Sequence, residues 1–276
     1  MAPRGLATAP AWDRGRLLAS PFFASLAPAL AALPADRFPS LDDLNRVARA
    51  RPATSGGGAP IRFVAASAPR AADYELGIWH EGAVPTRPGN LHDLFNALVW
   101  LVFPRTKAVL NARHVQEISA RAGERERGTA RDVLTLFDEG GILVACADPS
   151  LAALLTGFRW RELFWERRCE VGRAMRFRVF GHAIHEKAVA PFRGITAKAL
   201  IVPVSAAELA APLEAELALL DARAAEHFAQ PDALASTRSL APLPVLGIPG
   251  WTPENADAAY YDDTGQFRPG RTRNTA

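Results

Sequence analysis

Pro104-Arg105-Thr106-Lys107-Ala108-Val109-Leu110-Asn111-Ala112-Arg113-His114-Val115-Gln116-Glu117-Ile118 reads as a helix whose polar residues lie on an unexpected side. At about 100° per residue, Lys107, Asn111, His114 and Ile118 share one face, with Leu110 and Val115 on either side of it. Arg105, Ala112, Arg113 and Gln116 cover the opposite face, which is the natural solvent side. A lysine, an asparagine and a histidine are thus turned towards the interior or into a cleft. Burying polar groups is costly unless they are paired, so the stripe marks either a structural network or a site.

The residues before the stripe set the architecture. Asn90 is placed to cap a helix, with Asp93 in the third position, and residues 91–103 are apolar almost all round. That pattern predicts a buried hub. Pro104 ends this helix and can open the next, so two consecutive helices, 91–103 and 104–121, form the centre of the fold. Residues 61–65, 74–79, 175–180 and 199–204 read as short strands, and 85–89 as a loop. Residues 133–137, the Asp138-Glu139-Gly140-Gly141 turn and residues 142–146 read as a β-hairpin.

Helical stretches are expected after Ser40, after Asp148-Pro149, over 160–168 and over 181–190. A long helix opened by Ser205 and Glu208 as a capping box is expected to end near His227. Residues 51–60, rich in glycine, proline and small polar residues, read as a flexible connection. The strands lack regular βαβ spacing. The expected fold is therefore a single α+β domain, a central buried helix pair with a small, mostly antiparallel sheet and flanking helices. Its parts are a packed helical segment over 1–52, the α+β core over 61–228, and an extended Pro/Gly-rich segment over 229–276 with a loose end.

The composition supports a folded domain and excludes several classes. Of 276 residues, 49% are hydrophobic and 22% charged, which allows a sizeable core and argues against general disorder. The net charge of +3 implies no polyanionic partner by itself. Cys146 and Cys169 have no ligand spacing between them and make no disulfide framework. The apolar stretch 17–33 is too short and interrupted to span a membrane, so a cytoplasmic protein with no membrane contact is expected. There is no Walker A loop, GxGxxG, GxSxG or paired CxxC. The only three lysines, Lys107, Lys187 and Lys198, and five of the six histidines lie between residues 80 and 198.

Three sets of residues are candidates for chemistry. In the first, His92, Asn96, Lys107, Asn111 and His114 face one another across the helix pair, where histidines can act as acid–base or ligand groups and Lys107 can stabilise developing negative charge. In the second, His182, His185 and Glu186 share a face of a short helix, and His182 and Glu186 are partners for the first set. Their order is neither HExxH nor HxxEH, so a divalent metal is only weakly supported by the motif. The third is residues 159–178, where Arg159, Arg161, Arg167 and Arg168 alternate with Phe158, Trp160, Phe164 and Trp165. Arginines for phosphates and rings for stacking suit single-stranded nucleic acid, while a packed amphipathic helix with Glu–Arg pairs explains the same pattern. Asp262 and Asp263 read as a turn.

The strings 85–100, 103–107, Leu136-Phe137-Asp138-Glu139-Gly140-Gly141, Phe180-Gly181-His182-Ala183 and Leu246-Gly247-Ile248-Pro249-Gly250-Trp251 together resemble the uncharacterised bacterial family catalogued as domain of unknown function 3025. The resemblance runs from about Trp12 to Phe267 and implies a single bacterial domain. It carries no catalytic residue with it. The functional expectation therefore rests on the residues: a hydrolase-like or small-ligand site lined by His92, Lys107, Asn111 and His114. The alternatives are a nucleic-acid or protein-binding module using residues 159–178, and a purely structural polar core.

Overall fold

The computed structural model describes residues 12–66, 71–120 and 128–270. The loose end expected past residue 270 and the last turn expected at Arg121 lie outside them. The described residues open with α1 (Arg14–Ala19), capped by Asp13, then a 3-10 turn over Pro21–Leu26 and α2 (Ala27–Leu30). The capping box of Ser40 and Asp43 opens α3 (Leu41–Ala50). Residues 51–60 are docked rather than loose. Thr54 bridges to Pro60, Ser55 Oγ donates to Trp79 O at 2.9 Å, and Gly56 N donates to Asn111 Oδ1 at 3.2 Å.

β1 (Arg62–Ala65) and β2 (Ala83–Thr86) pair in parallel. The segment between them is α4 (Ala71–Glu81), where the sequence suggested a strand over 74–79. The alternation of Tyr74, Leu76 and Ile78 imitates a strand. A parallel pair, however, needs a crossover, and a helix supplies it while turning Tyr74, Glu75 and Ile78 to one side.

Asn90 accepts the Asp93 amide at 2.9 Å and opens α5 (Leu91–Val102). From Leu94 to Val102 every residue of α5 is buried, as the all-round apolar pattern requires. α6 (Pro104–Ala120) follows at once. Its first turn is capped from outside: the buried Asp221 accepts from Arg105 N at 3.0 Å and Thr106 N at 2.8 Å.

The expected hairpin is instead a helix followed by a strand, α7 (Thr129–Gly140) and β3 (Gly141–Cys146). Val133, Leu134 and Phe137 are buried at helical spacing, and the Asp138-Glu139-Gly140-Gly141 stretch is the end of that helix. β3 is buried at every position because it lies between β4 and β5 and is packed by helices of the chain. α8 (Pro149–Thr156), a π-helical turn over Glu162–Glu166 and α9 (Arg168–Ala174) lead to β4 (Met175–Val179). α10 (His182–Ala188) then precedes β5 (Thr196–Pro203).

The capping box of Ser205 and Glu208 opens only α11 (Ala206–Leu209). Pro212 breaks the chain before the long helix α12 (Leu213–Ala229). β6 (Ala241–Pro244) completes a sheet of order β4-β3-β5-β6. Within it, β3–β4 and β5–β6 are antiparallel and β3–β5 is parallel. The class is α+β, with the α5–α6 pair and the sheet sharing one hydrophobic core.

One close approach positions the site. Gly181 donates its amide to Gly141 O at 2.8 Å, and a Cβ on Gly181 would sit 2.4 Å from Glu139 O and 2.5 Å from Gly141 N. Only a glycine lets the start of α10 press against the end of α7. Gly181→Ala is expected to cost about 1–3 kcal/mol through this overpacking and to part His182 from Glu139. A chemical denaturation curve superimposable on that of the wild type would contradict the assignment.

Candidate functional site

Three helix ends meet at the surface. The first turn of α5 supplies His92, the last turn of α7 supplies Glu139, and the first two turns of α10 supply His182 and, four residues on, Glu186. His182 Nε2 lies 3.4 Å from Glu139 Oε2, and His92 Nε2 lies 3.9 Å from the same oxygen. The two imidazoles stand edge to face with centroids 4.5 Å apart. One donor atom from each of His92, Glu139 and His182 falls within 4.8 Å of the other two.

Glu186 Oε2 meets His92 Nδ1 at 2.9 Å, which fixes the ring and leaves Nε2 facing Glu139. Burial raises the Glu139 pKa, but the hydrogen bond and charge of His182, with that of His92, outweigh it and hold the carboxyl below its ordinary value. The side chain of His182 is 6% exposed and that of Glu139 43%, so the cluster is rooted in the core and open at one side.

Behind it lies a second group, which is inward and packed. Lys107 Nζ donates to Asp138 Oδ1 at 2.6 Å and to Asn96 Oδ1 at 2.9 Å, and lies 5.2 Å over the Trp100 ring. Asn96 in turn donates to Tyr74 Oη at 2.9 Å. Asn111 donates to Glu75 Oε2 at 2.7 Å and accepts from Gly56 N. His114 is buried on the same stripe, and its charge acts on Asp138. Burial pushes the Asp138 carboxyl up, yet Lys107, His182 and His114 together hold it below its usual range. The Tyr74 hydroxyl is pushed upward by burial and by Glu75 and Asp138.

Burial also pushes the Glu75 carboxyl up to about 7, against the hydrogen bond from Asn111 and the charge of Lys107. An unfolded glutamate titrates at about 4.3. The folded chain therefore keeps a proton that the unfolded chain releases, and this contribution to stability is lost as pH rises from about 4.3 to 7. Glu75→Gln keeps an acceptor for Asn111 and lacks the titration. It is expected to match the wild type near pH 4 and exceed it near pH 8 by on the order of 1–3 kcal/mol. Parallel pH–stability curves for the two proteins would contradict this.

The structure thus divides the residues singled out in the sequence. His92, His182 and Glu186 come together at the surface, whereas Asn96, Lys107, Asn111 and His114 form the network beneath. His185 does not share their face. It is wholly buried, with ring centroids 5.5 Å from Phe23 and 5.7 Å from Phe95, and burial pushes its pKa down to about 3. Four participants were missed: Tyr74, Glu75, Asp138 and Glu139. The signal for the last two was helical spacing over 133–137, which extends the helix through Asp138 and Glu139.

The four arginines singled out in residues 159–178 have partners within the chain. Arg159 meets Glu162, Arg161 meets Asp262, and Arg167 meets Glu170 and Asp148. Arg168 stacks on Trp165 at 5.0 Å and reaches Asn255 O at 3.4 Å. Trp160 and Phe164 are buried, and Asp263 pairs with Arg193 at 2.7 Å. Among the described residues, no helix is long and apolar enough to cross a membrane.

Residues 61–271 match the family model described as Protein of unknown function (DUF3025), and the chain belongs to that family. His92, Glu139, His182 and Glu186 all fall within the matched region. No curated protein and no solved structure matches the chain.

Proposed function

We propose that this protein is a divalent-metal-dependent hydrolase whose ion is held by His92 Nε2, His182 Nε2 and Glu139. The convergence of these three donors within 4.8 Å carries the reading. Tetrahedral zinc with bonds of about 2.0–2.2 Å needs donors roughly 3.3 Å apart. The separation of His182 from Glu139, 3.4 Å, meets that requirement, and His92 at 3.9 Å needs only a small swing. Two imidazoles and a carboxylate leave a fourth position for water, and the open side at Glu139 is where it would sit. Such an ion acidifies bound water and polarises a carbonyl or phosphoryl oxygen.

The chain's other residues support this role. Glu186 orients His92 through Nδ1, as outer-shell carboxylates do for metal-bound histidines. The Lys107–Asp138 pair anchors the end of α7 and thereby Glu139. Lys107 itself is engaged by Asp138 and Asn96, so it acts through position and not at the reacting atoms. The substrate is a small molecule with an ester, amide or phosphoester bond. Cytoplasmic placement fits the two free cysteines. No specific observation favours the arginine surface as a second reading: carboxylates of the chain itself take up the charges of Arg159, Arg161 and Arg167, and Arg168 lies over Trp165 and bonds Asn255 O.

The test is to titrate zinc into chelator-treated protein by calorimetry and to assay a panel of p-nitrophenyl esters and phosphates with and without the ion. One ion per chain and metal-dependent turnover are expected. A titration without heat, or hydrolysis that survives chelation unchanged, would refute the proposal.

A further inference from the structure

A cleft of about 170 Å³ opens beside the histidine cluster. Leu91, which lines it, directly precedes His92. Val189, on its other side, continues α10 in helical geometry, so His182, Glu186 and Val189 fall on successive turns of one face. The cleft therefore begins three residues, about 4.5 Å along the axis, beyond Glu186. Phe23 forms part of its floor, and Trp12 and Trp251 face into it.

The Trp251 wall is built in advance. Asn255 donates to Leu246 O at 2.9 Å and Ile248 O at 2.7 Å and accepts from Gly250 N at 3.2 Å, while Trp251 packs against Phe22 with centroids 4.6 Å apart. Preformed apolar walls with few polar groups are the usual make-up of a small-molecule site.

Beside Asp13 and Ser20, the cationic group of the lining is Arg16. Its guanidinium donates to Val189 O at 3.2 Å and has no ion-pair partner among the described residues. Asp13, the acid on the same rim, is committed to capping α1 through the Arg16 amide at 2.9 Å. An engineered cavity of roughly 150 Å³ takes one benzene ring, so this cleft has room for a single ring and little more. A guanidinium fork suits a carboxylate or phosphate oxygen pair.

We infer that this cleft binds the non-reacting end of the substrate, one aromatic or branched aliphatic group bearing a small anion, carboxylate or phosphate, that pairs with Arg16. This deepens the hydrolase reading and rests on it for the placement of the scissile bond at the neighbouring ion. The binding itself does not need the ion.

The test uses chelator-treated full-length protein and calorimetry with 3-phenylpropionate, phenyl phosphate and the uncharged 3-phenylpropanol. At least one of the two anions should bind tenfold or more tightly than the alcohol, and which one does so identifies the anion. Arg16→Gln should erase that preference without shifting the melting temperature, since Arg16 is exposed. Trp251→Ala should weaken all three ligands. Equal affinity for alcohol and anions, an Arg16→Gln variant that keeps the preference, or no binding at millimolar concentration would overturn the inference. Anion binding without zinc uptake would remove the metal reading and leave the cleft. Zinc uptake without anion binding would do the reverse.

Discussion

Asp138→Ala is expected to destabilise the protein by about 3–5 kcal/mol, because it strands a buried ammonium without its counter-charge. Lys107 is 5% exposed and makes its charge-assisted bond to Asp138 at 2.6 Å. Water has little access to it once the carboxylate is gone, and Asn96 alone does not neutralise it. The converse change, Lys107→Met, should cost less, on the order of 1–3 kcal/mol. The carboxylate left behind is a fifth exposed and can hydrate or take a proton. Combining Lys107→Met with Asp138→Leu should recover much of the loss, since a well-packed apolar pair commonly replaces a buried ion pair without penalty.

The pH dependence has a definite sign. Asp138 has a lowered pKa in the folded state, so its contribution is fully present above the unfolded value of about 3.9 and is lost as pH falls through the folded value. Urea unfolding of the single and double variants measures all of these effects. An Asp138→Ala variant as stable as the wild type would remove the ion pair from the account.

The second large effect concerns the ion. His182→Ala removes a donor that is nearly buried and already 3.4 Å from Glu139, and it should reduce zinc affinity by at least a hundredfold. Glu186→Gln leaves all three donors in place but weakens the hold on His92 Nδ1, and a loss of about 10–100-fold is expected. The ordering distinguishes a ligand from its support. Glu186 is exposed, so its replacement should leave the melting temperature in place while the affinity falls. Equal affinities in the wild type and His182→Ala would exclude His182 as a ligand.

The central helices were legible because their signals are local. Asn90, Pro104 and the largely apolar run 91–103 define α5 and the start of α6, and the 3.6-residue period turned Lys107, Asn111 and His114 inward as observed. The partners of those residues were not legible, since they come from elements whose type was misread. The run Val133-Leu134-Thr135-Leu136-Phe137 suits a strand as well as a helix, and a Gly-Gly pair ends either. The structure resolves it as helix and so turns Asp138 to Lys107 and Glu139 to His182. Tyr74 and Glu75 were hidden in the same way by an alternating pattern that a crossover helix overrides. His92 and His182 are 90 positions apart in the sequence, and they meet through the non-local packing of α10 on α5, while the close approach of Gly181 sets α10 on the end of α7 and so brings Glu139 to them. The ion pair of Arg161 with Asp262 and the hydrogen bond from Arg168 to Asn255 O are equally non-local, so the sequence displays these arginines without the groups that engage them.

The most direct measurement is anomalous diffraction at the zinc edge from crystals of the zinc-loaded protein. A single peak bonded to His92 Nε2, His182 Nε2 and a Glu139 oxygen, at about 2.0–2.2 Å from each, with Glu186 still on His92 Nδ1, is the predicted result. A peak at other side chains, or none at this cluster under saturating zinc, would contradict the assignment of a metal site.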